Sequence, residues 1–106
     1  MEFNSFGAFV DMKYEQNRFN SFLRSNLVRD LAKFKRFASA GFRVFNAGIC
    51  CYSCQLPLIP GHFDENNVFE HHRTRASACF FILGIADNVP MSAEVSVLNL
   101  WKWLFF

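Results

Sequence analysis

Four cysteines constrain this chain more than any other feature. Cys50, Cys51 and Cys54 fall within five residues, and Cys79 stands alone further on. Disulfides inside so short a span would close loops too small to restrict the unfolded chain. The opening residues MEFNSFGAFVDMK carry an early acid, no basic segment and no long apolar run, so no secretory leader is expected. The expectation is a reducing compartment, the cytoplasm, in which the thiols stay available. Length sharpens it. With 106 residues the chain forms one domain whose apolar core alone gives marginal stability, and domains of this size often add a metal.

Cys51-Tyr52-Ser53-Cys54 separates two thiols by two residues, which lets both turn toward one tetrahedral ion. Redox sites share that spacing, so the rest of the chain must decide. Sixteen residues separate Cys54 from His71, which His72 follows, on a stretch that reads as helix, and Cys79 comes after. Three sulfurs and one imidazole complete a closed structural zinc set, with no open position for catalysis. Cys50 would point away from Cys51 on an extended strand, and His62 reads as a solvated loop residue.

The surrounding pattern is mixed. Tyr14 to Leu23 has helical periodicity, with Tyr14, Phe19, Phe22 and Leu23 on one broad face, and Ser25-Asn26 interrupts it. Asp30 is the expected cap of a second helix, Leu31 to Ala40, that buries Leu31, Phe34, Phe37 and Ala38. Lys33, Lys35 and Arg36 make its solvated face, and Gly41 sits where a helix-ending glycine belongs. Phe42–Phe45, Asn46-Ala47-Gly48 and Ile49–Tyr52 read as strand, tight turn and strand. Gln55 to Ile59 reads as a third strand, ended by Pro60-Gly61. Asp64-Glu65-Asn66-Asn67 starts a helix through Val68, Phe69, His71, His72 and Arg75. The expected organisation is an N-terminal arm over 1–13, a zinc domain over 14–84 and an apolar tail over 85–106. The fold class is α+β, a short three-stranded antiparallel sheet surrounded by helices.

The segment from about Arg18 to Leu83 resembles the BIR domain of the inhibitor-of-apoptosis proteins. The matching pieces are Arg18-Phe-Asn-Ser-Phe22, Phe37-Ala-Ser-Ala-Gly41-Phe42, Cys51-Tyr-Ser-Cys54, and Glu70-His71 followed by Cys79-Phe-Phe81, in the family's order. The resemblance implies zinc on Cys51, Cys54, His71 and Cys79. His72 is the rival fourth ligand, since only one of two adjacent helical residues can face the metal. His71 is expected because Glu70 before it also matches. The resemblance further implies that Arg18 is a buried guanidinium bonded to backbone carbonyls.

A BIR domain implies a protein-interaction module that binds short, often alanine-led peptides of caspases, of their antagonists or of other inhibitor-of-apoptosis proteins. Its peptide groove runs along the third strand and the following helix. In this register Leu58 lies on the groove strand, and Glu65 is the acid that would receive the peptide amine. The usual groove tryptophan is replaced by Gly61, and a second aromatic position on the helix by Thr74. No catalytic constellation is present, so no enzyme is expected. The net charge of +2 gives no strongly basic face for nucleic acid, and no stretch is long enough to span a membrane. A lone domain with an apolar tail and no RING resembles short viral homologues, which act in the host cytoplasm. Leu100, Trp101, Trp103 and Phe105 would dock the tail on the domain, a second chain or a partner. The competing readings are a zinc-stabilised scaffold without caspase connection and a diverged product that has lost its partner surface.

Overall fold

The computed structural model describes residues 2–3 and 9–91. In the arm, β1 (Glu2–Phe3) pairs antiparallel with β2 (Phe9–Val10). Then follow α1 (Glu15–Leu23), α2 (Leu31–Ser39), a hairpin of β3 (Phe42–Phe45) and β4 (Gly48–Cys51), and α3 (Val68–Arg75) entered through a 3-10 turn at Glu65–Asn67. Residues 92–106 lie outside the described residues, and with them the expectation that Trp101 and Trp103 dock the tail. Among the described residues no helix is long and apolar enough to cross a membrane.

Each helix start has a local cause. Tyr14 offers α1 no side-chain cap; instead Glu15 N–H donates to the Val89 carbonyl at 2.9 Å, and Val89 N–H returns a bond to Lys13 at 2.8 Å. Residues 87–91, read from sequence as boundary and tail, are thereby tied to the domain, and Met91 is buried with its N–H on the Glu15 carboxylate. Asp30 caps α2 through Lys33 N–H at 3.1 Å, as its side chain requires. The buried stripe of α2 starts one turn later than expected. Phe22 of α1 stacks on Phe34 at 5.2 Å and also meets Phe37, whereas Leu31 is 52% exposed.

Gly41 ends α2 with φ +95, a conformation that favours glycine, and a Cβ there would lie 2.9 Å from the Phe81 ring. In the hairpin Phe45 pairs with Gly48, so Asn46 and Ala47, both at positive φ, form a two-residue turn matched to strand twist. The third strand is reduced to a single bridge. Pro57 pairs with Cys50, while Cys51 N–H donates to Leu56 and Leu58 N–H to Ile49. Pro57 has no N–H to extend the ladder, and Gln55 at φ +66 is bent out of strand geometry. The α+β class holds, with two strands and a bridged segment in place of three strands. Phe22, Phe34, Phe37, Phe42, Ile49, Leu58 and Val68 pack the core between the helices and this sheet.

Candidate metal centre

The inward alternation of β4 buries Ile49 and Cys51 and turns Cys50 to the other face. Beyond Cys51 the chain folds back, with Gln55 N–H on the Cys51 carbonyl at 3.0 Å. That turn aims two amides, Ser53 and Cys54, at the Cys51 sulfur at 3.3 and 3.4 Å. It also brings the Cys54 sulfur to the same side. From α3 comes a fully buried imidazole, and from the turn after it Cys79. The four donors of Cys51, Cys54, His72 and Cys79 all lie within 4.8 Å of one another.

Two of the separations match the edges of a zinc tetrahedron. Bonds of about 2.3 Å to sulfur and about 2.0 Å to nitrogen give edges of about 3.8 Å between sulfurs and about 3.6 Å from sulfur to nitrogen. Cys51 and Cys79 sulfurs stand 3.8 Å apart, and Cys54 Sγ is 3.6 Å from His72 Nε2. The imidazole is oriented for the role. Its Nδ1 lies 2.7 Å from the Ala40 carbonyl, which can only accept, so Nδ1 carries the proton and Nε2 keeps its lone pair toward the sulfurs. The ring packs against Phe42 at 4.7 Å and lies nearly parallel to Phe81 at 5.8 Å.

Electrostatics point the same way. Burial pushes the Cys51 thiol up to about 12, against the pull of the Cys54 and Ser53 amides, and burial also raises Cys54. Cys79 feels the same burial, but the Ile82 amide, the Cys54 thiol and the Phe81 amide outweigh it and hold its pKa below the ordinary thiol value. Burial lowers His72, against the Ala40 carbonyl, which keeps the imidazole neutral. Without a cation Cys51 and Cys54 are costly to ionise, whereas Cys79 is not; a bound divalent metal favours the thiolate of all three. Four protein donors would leave a bound ion no open position, the arrangement that structural zinc sites use.

The structure corrects the fourth ligand. His71, expected at the metal, is turned about one helical step away and packs on Phe63 at 5.2 Å, facing a surface groove. Six residues lie between His72 and Cys79, and that short link fixes the register more tightly than the long loop from Cys54, which can absorb an extra residue. The same rotation places Arg75, rather than Thr74, three residues past the ligand histidine. His62 is exposed as expected, and Cys50 lies outside the cluster.

Leu58, expected to contact a peptide, is turned into the core and its N–H is spent on Ile49. The outward residues of that segment are its neighbours Pro57 and Ile59, by simple alternation. Glu65 is half-buried and ion-paired with Lys33 at 3.0 Å. Arg18 lies where the resemblance implied, with no exposed surface. It donates to the carbonyls of Ala38, Met12 and Lys13 at 2.9, 2.8 and 3.1 Å and to Asn88 Oδ1 at 2.9 Å. Its guanidinium lies over Tyr52 and over Phe81, the ring that flanks His72. Two partners of the site carry no sequence signal: the Ala40 carbonyl, a backbone atom, and Asn88, 70 residues from Arg18.

A small α+β domain clamped by a closed three-cysteine, one-histidine cluster is the class that this geometry defines. Its fold is that of a BIR domain. Two solved structures of similar fold are the BIR1 domain of DIAP1 bound to a Grim peptide and the autoinhibited dIAP1 BIR1 domain. The first is 20% identical, covers 81% of this chain and 89% of that one, and superposes with a TM-score of 0.58. The second is 23% identical, covers 80% and 88%, and gives 0.56. No protein-family model and no curated protein matches the chain.

Proposed function

We propose that this chain is a zinc-stabilised protein-interaction module that regulates apoptosis without catalysis of its own. Zinc is held by Cys51, Cys54, His72 and Cys79 and serves the fold. The observation that carries the reading is the shared fold with a BIR1 domain solved bound to a Grim peptide. The partner is a short segment of a caspase, of an antagonist or of another inhibitor-of-apoptosis protein, met in the cytoplasm, that of the host if the source is viral.

The docking face lies along residues 55–59 and α3. Leu56 and Leu58 bond inward to β4, which leaves the Pro57 carbonyl and Ile59 N–H as the outer edge for an extended peptide. Glu65 is the acid for a peptide amine, and that amine would take the place of the Lys33 ammonium. A partly exposed ion pair is worth at most about 1 kcal/mol, so the exchange costs little.

Pull-down with alanine-led peptides tests the reading. Capture should be lost on Glu65→Ala while zinc content stays the same. No capture by the zinc-loaded wild type, or capture indifferent to Glu65→Ala, would count against it. The zinc-stabilised scaffold is the second reading, favoured by the short outer edge and by Gly61, whose surroundings are open where a side chain would stand.

A further inference from the structure

We infer that the peptide bound on this face carries an acidic side chain next to an aliphatic one, received where His62, His71 and Arg75 ring the apolar floor of Leu56, Pro57 and Ile59. This rests on the reading above and names the chemistry of its ligand. The groove is about 210 Å³, enough for one or two side chains and too small for a folded partner. Leu56, Pro57 and Ile59 form its apolar floor, and three nitrogen-bearing side chains close it.

Among the described residues no acid lines the groove. Glu65 is engaged with Lys33, Asp64 with the Asn66 amide and the Asn67 side chain, and Glu70 with Arg73. Among the described residues, none of the side-chain nitrogens of His62, His71 and Arg75 has a hydrogen-bond partner. His71 is braced by Phe63 at 5.2 Å, so its ring is held at the groove wall. Arg75 is the permanent charge, and its planar fork matches a carboxylate.

The placement follows from the helix register. With His72 facing the metal, the adjacent His71 and the next-turn residue Arg75 both turn toward the 55–59 segment. An extended peptide alongside Pro57 and Ile59 would present alternate side chains to the groove. One aliphatic side chain would cover the Leu56–Ile59 floor, and a neighbouring carboxylate would reach Arg75 and His71. Glu65 acts on the peptide amine, so the two acid–base contacts belong to different ends of one ligand and can be tested separately.

The test uses zinc-loaded full chain and positional-scanning octapeptides in two series, free alanine-led and N-acetylated, all C-terminally amidated. Enrichment of Asp or Glu at one position is expected. In fluorescence polarisation, changing that acid to its amide should weaken binding about tenfold. Arg75→Gln, at an exposed position, should keep the zinc and remove most of that tenfold acid-to-amide difference. Alanine-led peptides bound in a Glu65-dependent way without acid enrichment would overturn this inference and leave the module reading standing. An acid-to-amide ratio unchanged by Arg75→Gln would also overturn it. Binding of no peptide in either series would overturn both.

Discussion

Replacing Arg18 by Met should unfold this domain at moderate temperature although Arg18 touches no metal ligand. The side chain has no exposed surface, and to the described residues its guanidinium gives four hydrogen bonds, three of them to backbone carbonyls of two separate segments. Methionine fills much of the volume, but among the described residues it leaves the Met12 carbonyl without a donor and the Lys13 and Ala38 carbonyls with only the Val89 and Gly41 amides. A buried acceptor left bare costs about 1–3 kcal/mol, and breaking the whole buried charged network costs about 3–5 kcal/mol. A domain of this size has only about 5–12 kcal/mol of total stability, so the loss is a large share. It corresponds to a fall in Tm of roughly 15–35 °C. The assay is thermal unfolding at fixed free zinc, because bound metal shifts the midpoint by mass action. Arg18→Lys, which keeps the charge but not the fork, should fall between. A Tm for Arg18→Met within about 4 °C of wild type would refute the claim that this guanidinium ties the arm, α2 and the 87–89 segment together.

Other consequences are as definite. Gly41→Ala puts a methyl at φ +95 and 2.9 Å from the Phe81 ring, so it should cost about 2–4 kcal/mol in denaturant unfolding. Because Phe81 lies flat on His72, that variant should also bind zinc more weakly, measured by competition with a chelator. The pH response should reverse sign with metal. In the metal-free chain burial raises Cys51 from 9.0 to about 12, so folding favours the thiol; that stability is present below pH 9 and is lost as pH rises toward about 12. The zinc-loaded chain needs thiolates and should instead lose stability as pH falls, which paired urea titrations with and without chelator would show.

Much of this organisation is legible in the residues because local chemistry and tertiary packing agree. Asp30 caps α2, Gly41 ends it, and Asp64 starts the turn into α3, each through atoms that the residue type itself supplies. The cysteine members of the cluster are equally readable, since alternation on β4 and the tight turn after it leave little choice. Where reading failed, the cause was a degree of freedom that sequence does not fix. The loop between Cys54 and α3 can hold one more residue without disturbing either end, so counting from it rotated α3 and exchanged His72 for His71. Counting back from Cys79 over the shorter link gives His72. Leu58 looked available only because its strand's inward face was not known; Pro57 and Ile59 are the outward ones. The third strand shrank to a bridge because Pro57 lacks a donor, a signal visible in the sequence but outweighed there by the apolar run around it.

The most direct test of the account is zinc stoichiometry on reduced wild type, His72→Ala and His71→Ala. The account predicts about one zinc per chain in wild type and in His71→Ala, and its loss, with a large fall in the unfolding midpoint, in His72→Ala. A folded wild type that binds no zinc, or zinc lost with His71→Ala and kept with His72→Ala, would contradict it.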